Sequence, residues 1–282
     1  MAMPSIVVVG SVNLDIVATA KRLPVAGETV TDAELGRFPG GKGANQALAA
    51  QRLGADVKLV ARVGADSTAD EALTLLRKGG VDLSNVESVE DMATGVALIA
   101  VAASGENQIV VAPGANRSLS PESLTIPAAD ALICQLEVPG DAIAQAAQDF
   151  EGFFAANLAP AMHVDVSVLQ RADLIIVNET EAAWYGDSLS ACTGMIATTF
   201  GAAGAVLSRD GEDLARTKPP RIDAVDTTAA GDTFTAALTV ALVEGQPPEQ
   251  ALQFACAAGA AAATKLGAQP SLPTRADVMR LL

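Results

Sequence analysis

The sequence has 282 residues, and its 18 basic and 33 acidic side chains give a formal net charge of −15 at pH 7. This negative surplus repels nucleic-acid backbones and acidic membrane surfaces, so we expect neither as a partner. The cysteines Cys134, Cys192 and Cys256 are far apart and form no CxxC pair, which argues against a disulfide framework or zinc site and favours a reducing cytoplasm. With no basic leader and no uncharged apolar run of about 18 residues, we expect neither export nor membrane insertion.

The first element is a predicted strand with polar residues at its carboxyl end. Residues 6–9 are β-branched throughout and end at Gly10, which is typical of a strand buried on both faces. The predicted turn at 11–15 alternates polar and apolar residues, and would aim Asn13 and Asp15 to the edge where open α/β sheets bind ligands. A turn with only local hydrogen bonds is the alternative.

Alternating strands and helices continue along the chain. Strands are predicted at 57–63, 131–136, 153–156 and 174–177, and helices at 44–53, 68–78 and 141–148. Parallel strands with helical crossovers follow, so we expect a three-layer α/β/α fold with a mainly parallel sheet, in one domain over residues 1–282. Residues 94–101 and 107–112 flank a turn and predict a β-hairpin.

A glycine-rich turn precedes the first predicted helix and contains Lys42. The segment 39–47 reads PGGKGANQA and lacks the GxxxxGK[ST] spacing of a Walker A loop, so Lys42 is not predicted to bind phosphate in that way. An exposed, flexible Gly-Gly turn is the alternative interpretation. Glu137 follows the predicted strand at 131–136 and is either a site residue or a solvated loop acid.

A second stretch of small residues, DTTAAGDTF at 226–234, comes before an apolar helix. Free amides in the first turn of a helix and the positive end of its dipole favour a phosphate oxygen, and small residues allow close approach. Asp232 would then stand where it could deprotonate a hydroxyl that attacks the phosphate. An acid that merely caps a core helix is the alternative.

These two stretches, in this order and about 190 residues apart, resemble the signatures of the ribokinase family of carbohydrate and nucleoside kinases. The resemblance implies ATP-dependent phosphorylation of a primary hydroxyl on a pentose, with the 5-hydroxyl of D-ribose as the first expectation. The alternatives are a fructose, deoxyribose or adenosine kinase of the same family, and a catalytically idle sugar-binding regulator.

The resemblance also implies a sugar site closed by a small β lid, built from about residues 17–38 and 94–112. It makes Asp232 the base, with the amides of Ala230 and Gly231 steadying the phosphoryl group. Sugar contacts are implied for Asn13, Asp15, Gly41, Lys42, Asn45, Glu137 and Asp232, with an apolar lid wall of Ala97, Ile99 and Val111. We expect a homodimer formed through this lid.

Nucleotide and metal contacts are implied in the same way. The nucleotide would meet Asn178, Thr199, Gly201, Gly204, Gly231 and Cys256. Asn178 and Glu181 form the NxxE pattern, in which the glutamate would organise Mg²⁺ through water; a simple helix start is the alternative. A K⁺ site is implied at Asp226, Thr228, Ala262, Lys265, Gly267 and Ser271.

The sequence departs from the family pattern in two places. Cys256 stands where a histidine can lie near the adenine, which puts one nucleotide contact in doubt. Only residues 182–198 separate the NxxE pattern from the loop at Thr199, where the family usually fits an additional helix. We therefore expect one peripheral helix fewer and weaker ATP binding. The apolar surface left uncovered would be more exposed, screened by Trp184 and Tyr185, or buried against another subunit.

Overall fold

The computed structural model describes residues 3–282. Its main sheet contains nine strands, ordered β13-β12-β11-β10-β9-β8-β1-β4-β5. These strands are β1 (Ser5–Val9), β4 (Asp56–Gly64), β5 (Asp82–Val89), β8 (Ala131–Gln135), β9 (Phe153–Asn157), β10 (Leu174–Asn178), β11 (Met195–Thr199), β12 (Ala205–Arg209) and β13 (Glu212–Thr217). All neighbours pair in parallel except β11-β12 and β12-β13, which are antiparallel.

Helices cover both faces of this sheet. They are α1 (Lys42–Arg52), α2 (Ser67–Ala72), α3 (Thr74–Gly79), α4 (Gly140–Asp149), α5 (Val166–Arg171), α6 (Glu179–Tyr185), α7 (Ala230–Val243), α8 (Pro248–Ala262), α9 (Ala268–Ser271) and α10 (Arg275–Met279). Alternate residues of β1 enter separate cores: Ile6 and Val8 pack with α1, α7 and α8, whereas Val7 and Val9 pack with α4 and α5. The predicted three-layer α/β/α fold is confirmed.

A second, four-stranded sheet lies outside the main sheet in the order β3-β2-β6-β7. Its strands are β2 (Asn13–Ala20), β3 (Glu34–Gly40), β6 (Gly95–Ala102) and β7 (Asn107–Ala112). The predicted hairpin is therefore present as β6-β7. The predicted turn at 11–15 is wrong in part, because Asn13 already pairs with Gly40 and Gly95. The polar-apolar alternation of that segment is the period of a strand with two different faces.

Of two helical predictions, the structure changes one and bears out the other. The single helix expected at 68–78 is interrupted at Leu73, although Leu73 still donates to the Ala69 carbonyl and accepts from the Arg77 amide. Between Glu181 and Thr199, α6 ends at Tyr185 and only a 3-10 turn, Gly186–Ala191, follows. The expectation of one helix fewer is confirmed.

The two aromatic residues expected to screen this region differ in exposure. Trp184 is 53% exposed, whereas Tyr185 is buried and donates a hydrogen bond from its hydroxyl to the Met162 carbonyl at 2.7 Å. The two rings meet edge to face, 4.7 Å between centroids. Within residues 3–282, no helix is both long and apolar enough to cross a membrane.

Candidate active site

The start of α7 forms the centre of the site. Ala229 caps the helix in the left-handed conformation, with φ 62°, so the chain turns sharply into the helix. The space around a Cβ placed on Gly231 is open, and the first amides of a helix have no partner within it. The Ala230 amide differs, because it donates to the Thr227 carbonyl at 3.2 Å. Gly231 therefore offers the more accessible of the two predicted amides.

Asp232 lies in the first turn of α7 and is 6% exposed. Its Oδ2 accepts a hydrogen bond from Asn45 Nδ2 at 2.9 Å, and its Oδ1 accepts one from Gln46 Nε2 at 2.9 Å. Asn45, predicted to face a sugar, is thus a direct partner of Asp232. Gln46 was not predicted, although it stands beside Asn45 in the motif at 39–47.

Glu137 anchors the glycine-rich turn. Its Oε2 accepts from the Ser11 hydroxyl at 2.5 Å and from the Lys42 amide at 3.0 Å, so it is not a free loop acid. Gly41 has φ 89°, and a Cβ there would lie 2.7 Å from the Asn13 backbone nitrogen. Glycine is required at Gly41 by both conformation and space.

Asn13 and Asp15 lie on β2, next to this turn. The Asn13 side-chain oxygen accepts a hydrogen bond from Asn116 Nδ2 at 2.8 Å. Asn116 also accepts from the Val12 amide and donates to the Val12 carbonyl. Burial, followed by the negative charges of Glu137 and Asp232, raises the pKa of Asp15 to about 7. Sequence reasoning missed Asn116; its position just after the predicted lid hairpin is the only signal that the sequence offers.

The predicted apolar wall lies on the same face of the lid as Asp15. Asp15 is opposite Ala97, and Ala97 is opposite Val111, and directly opposite residues share a face. Ile99 lies two residues along the same strand, on the same face. Its cross-strand partner Ile109, which was not predicted, lies on this face as well.

Three carboxylates act on Lys42 through space. Burial lowers the pKa of its ammonium, but the negative charges of Asp232, Glu137 and Glu181 outweigh this effect and leave the pKa above its usual value. The side chain lines a cavity of about 210 Å³ together with Asn157, Asn178, Glu181, Thr199, Gly231 and Asp232. This cavity brings residues from four predicted motifs together.

The NxxE residues form a helix cap and also line this cavity. Asn178 caps α6 by accepting from the Glu181 amide at 2.8 Å, and the Glu181 carboxylate accepts from the Asn178 amide at 2.8 Å. Burial raises the pKa of Glu181, against the opposing hydrogen bond from Asn178 and charge of Lys42. The helix-start interpretation and the site interpretation of the motif are therefore compatible.

A larger cavity of about 660 Å³ lies on the other side of the α7 start. It is lined by the predicted nucleotide residues Thr199, Gly201, Gly204, Gly231 and Cys256. Thr199, Thr227 and Gly231 line both cavities, so the two spaces meet at the anion site. The loop 219–224 also contributes, which sequence reasoning missed; its Pro219-Pro220 pair signals only a rigid loop.

Asp226 connects two loops below the anion site. Its Oδ1 accepts from the Thr228 amide at 2.9 Å and hydroxyl at 2.6 Å, and its Oδ2 accepts from the Gly267 amide at 2.9 Å. Burial alone would raise the pKa of Asp226, but these hydrogen bonds hold it below its usual value. Of the other predicted cation ligands, Ala262 ends α8, Lys265 is exposed, and Ser271 is buried with its hydroxyl donating to the Ala268 carbonyl.

A buried carboxylate in the first turn of a helix lines a cavity that meets a larger one at Gly231, which is the arrangement expected of a phosphotransferase acting on a hydroxyl. Residues 3–275 match the family described as pfkB family carbohydrate kinase, and the chain belongs to that family. It is therefore a ribokinase-family phosphotransferase that acts on an alcohol group, as the two signature motifs indicated.

Within this family, the chain is similar to relatives and solved structures named ribokinase. The chain is 36% identical to a ribokinase of Haemophilus influenzae over 99% of this chain and 98% of the relative, and 36% identical to a ribokinase of Bacillus subtilis over 99% and 100%. A Thermotoga maritima ribokinase structure superposes with a TM-score of 0.90 at 33% identity, covering 99% of each chain. An Arabidopsis thaliana ribokinase complexed with ribose and ATP gives 0.88 at 31% identity, also covering 99% of each.

Proposed function

We propose that the protein phosphorylates the 5-hydroxyl of D-ribose with ATP, giving ribose 5-phosphate and ADP. The observation that carries this proposal is the position of Asp232 and the open Gly231 amide: both line a polar cavity with Lys42 and Glu181, and Gly231 lines the larger cavity as well. The relatives at 36% identity are ribokinases, and a superposed relative holds ribose and ATP.

The sugar lies between the glycine-rich turn and the lid in this proposal. Its hydroxyls bond to polar groups from both sides, and Ala97, Ile99 and Val111 cover it and exclude water. The proposed polar contacts are Asn13, Asp15, Gly41, Lys42, Asn45 and Glu137. Support comes from the carboxylates of Asp15 and Glu137 acting on one another through space and from the Glu137 bond to the Lys42 amide.

Phosphoryl transfer then takes place at the start of α7. Asp232 accepts the proton of the 5-hydroxyl as that oxygen bonds to the γ-phosphorus, and the bond from the γ-phosphorus to the bridging oxygen of ADP breaks. The Gly231 amide, with the Ala230 amide if it releases Thr227, stabilises the charge on the transferring group. Lys42 adds a positive charge to the cavity where this charge develops.

The nucleotide occupies the larger cavity in this proposal. The glycines Gly201 and Gly204 allow its ribose and phosphates to approach the backbone, with Thr199 and Asn178 near the phosphates. Cys256 lies against the adenine of the nucleotide in this proposal. Burial raises the pKa of Cys256 to about 12, so the residue acts there as a small apolar group and not as a thiolate.

Mg²⁺ fits the smaller cavity. Glu181 and Asp232 place two carboxylates on its wall, and Mg²⁺ needs only one or two carboxylates because it keeps several waters and binds phosphate oxygens. Glu181 would hold the ion through water. When bound, Mg²⁺ neutralises charge on the phosphates.

K⁺ fits the loops joined by Asp226. The proposed ligands are the Asp226 carboxylate and the oxygens of Thr228, Ala262, Lys265, Gly267 and Ser271. Ala262 is the last residue of α8, where carbonyls lack helical partners. Asp226 is held as a charged group by the Thr228 and Gly267 amides, which gives a large cation a fixed negative partner.

We also propose a homodimer formed through the lid, in a reducing cytoplasm. Leu98, Val110 and Leu35 project from the lid face opposite the sugar and are 50%, 66% and 69% exposed. Exposed apolar area of this kind marks an interaction surface, and light scattering of the purified protein decides between one copy and two. The three cysteines are free and buried.

The experiment that tests the function compares ribose, deoxyribose, fructose and adenosine in a coupled ADP-release assay. We expect the highest kcat/KM with ribose. A clear preference for another acceptor would replace the proposed substrate, and no turnover with any acceptor would favour the regulator.

A further inference from the structure

Gln46 is a fully buried residue of α1 that none of the roles above uses. Its Nε2 donates to Asp232 Oδ1 at 2.9 Å and to Asn157 Oδ1 at 3.0 Å. A buried amide is costly unless its polar atoms are paired, and here its two donor hydrogens meet two acceptors. One of these acceptors is the carboxylate at the centre of the site.

The hydrogen-bond chain around Gln46 allows only one orientation of its amide. Asn157 Nδ2 donates to the Ile176 carbonyl at 3.2 Å, which turns the Asn157 oxygen toward Gln46. On the other side, Gln135 Nε2 donates to Gln46 Oε1 at 2.7 Å. A flipped Gln46 would place its oxygen against the oxygens of both Asn157 and Asp232, so these two acceptors fix which end faces Asp232.

Asn45 and Gln46 together hold the Asp232 carboxylate in a fork. They are consecutive residues of α1, and side chains of consecutive helical residues point about 100° apart. Both reach Asp232 because α7 packs across α1, so one donor meets each carboxylate oxygen. Rotating the carboxylate about its own bond would break both hydrogen bonds.

We propose that Gln46 is a positioning residue that holds the Asp232 carboxylate in the orientation needed to take a proton from the acceptor hydroxyl. This inference rests on the proposed function. Proton transfer requires the base to lie within hydrogen-bond distance of the hydroxyl and to point toward it. Small errors in its placement lower the rate strongly. Asn157 acts one step further away by fixing the amide of Gln46.

The test uses two substitutions at Gln46 and one matched control. Gln46→Met keeps the length of the side chain and removes its donors, so kcat should fall by about tenfold to a hundredfold while KM for ribose stays within about threefold. Gln46→Glu keeps the acceptor for Gln135 but faces Asp232 with a second carboxylate. The acid limb of its kcat profile should move to higher pH, because neighbouring like charges favour protonation.

Gln51→Met is the control, because Gln51 lies on the same helix and its Oε1 accepts from the Val57 amide at 3.0 Å. It removes an amide from α1 without touching Asp232, so kcat and the pH profile should match those of the wild type. A Gln46→Met kcat within about twofold of the wild type, with an unmoved pH limb in Gln46→Glu, would overturn the proposal. If Gln46→Met does not fold, Gln46→Glu alone decides.

A second measurement separates this proposal from the proposed function. If the wild type turns over none of the acceptor sugars, the proposed function is refuted. The contact between Gln46 and Asp232 is then judged by thermal unfolding of Gln46→Met, Asp232→Ala and the double variant. If Gln46 holds Asp232, Gln46→Met should lower Tm less when Asp232 is already absent. Strictly additive Tm shifts would show that Gln46 only fills space.

Discussion

Asp15→Asn should make the protein more stable at pH 8 while weakening its sugar site. In the folded protein the pKa of Asp15 is raised from 3.8 to about 7, first by burial and then by the charges of Glu137 and Asp232. A carboxyl with a raised pKa binds its proton more tightly in the folded state. The free energy of unfolding therefore falls as pH rises from about 4 to 7, and the loss persists above pH 7.

The magnitude follows from the size of the shift. Each pKa unit corresponds to about 1.4 kcal/mol, so a change from 3.8 to about 7 corresponds to at most about 4 kcal/mol. Relaxation of the site reduces this limit, and we expect about 1–3 kcal/mol in practice. For a chain of this size that gain raises Tm by about 2–10 °C at pH 8. At pH 4 the folded Asp15 carboxyl is neutral and the unfolded one, with its pKa of 3.8, is about half ionised, so most of the Tm difference should disappear.

The assay is thermal unfolding of wild type and Asp15→Asn between pH 4 and 8. Asp66→Asn serves as the control of opposite sign, because hydrogen bonds from Thr94 and Ala69 outweigh burial and hold the pKa of Asp66 below its usual value. That control should lower Tm at pH 8. An Asp15→Asn variant no more stable than wild type at pH 8, or equally stabilised at pH 4 and 8, would refute the reasoning.

Three further predictions concern the proposed reaction. Asp232→Asn should reduce kcat by about a thousandfold, because the amide cannot accept a proton, while calorimetry gives ribose binding close to wild type; near-normal kcat would remove Asp232 from its role. K⁺ should raise activity more than Na⁺ or a bulky organic cation at fixed ionic strength, since Asp226 ties the proposed cage to the loop before Gly231; equal rates would exclude the site. Calorimetry without sugar should show weak ATP binding because only a 3-10 turn follows α6, and tight binding would contradict this.

The sequence predicted the layers of the fold because each layer follows from a local pattern. The β-branched run at β1 has no polar residue to place in water, so it must be buried on both faces. The polar-apolar alternation at Asn13 to Asp15 gave the direction of these side chains correctly. It could not reveal that the segment pairs with Gly40 and Gly95, because strand pairing in the lid joins residues that are far apart in the sequence.

The same limit applies to the candidate site. Lys42, Asp232 and Glu181 could be singled out because each lies in a motif with a chemical explanation, and the structure brings all three to one cavity. Gln46 and Asn116 could not, because their importance depends on partners more than 100 residues away. A buried amide in a helix has no signature of its own until its acceptor is known.

Several site residues also stabilise the fold, and this determines how substitutions there should behave. Asn178 and Glu181 cap α6 while lining a cavity, and Glu137 holds the glycine-rich turn through the Lys42 amide. Substituting Asn178 or Glu137 removes a structural hydrogen bond together with any ligand contact, so stability and activity should fall together. Asp15 is the opposite case: burial and two neighbouring carboxylates oppose its charge, and a sugar hydroxyl would supply the donor that the folded chain does not. A charge that costs stability in the empty site is useful where a ligand pairs with it, so Asp15→Asn should raise Tm and weaken ribose binding, and only the second effect tests the sugar site.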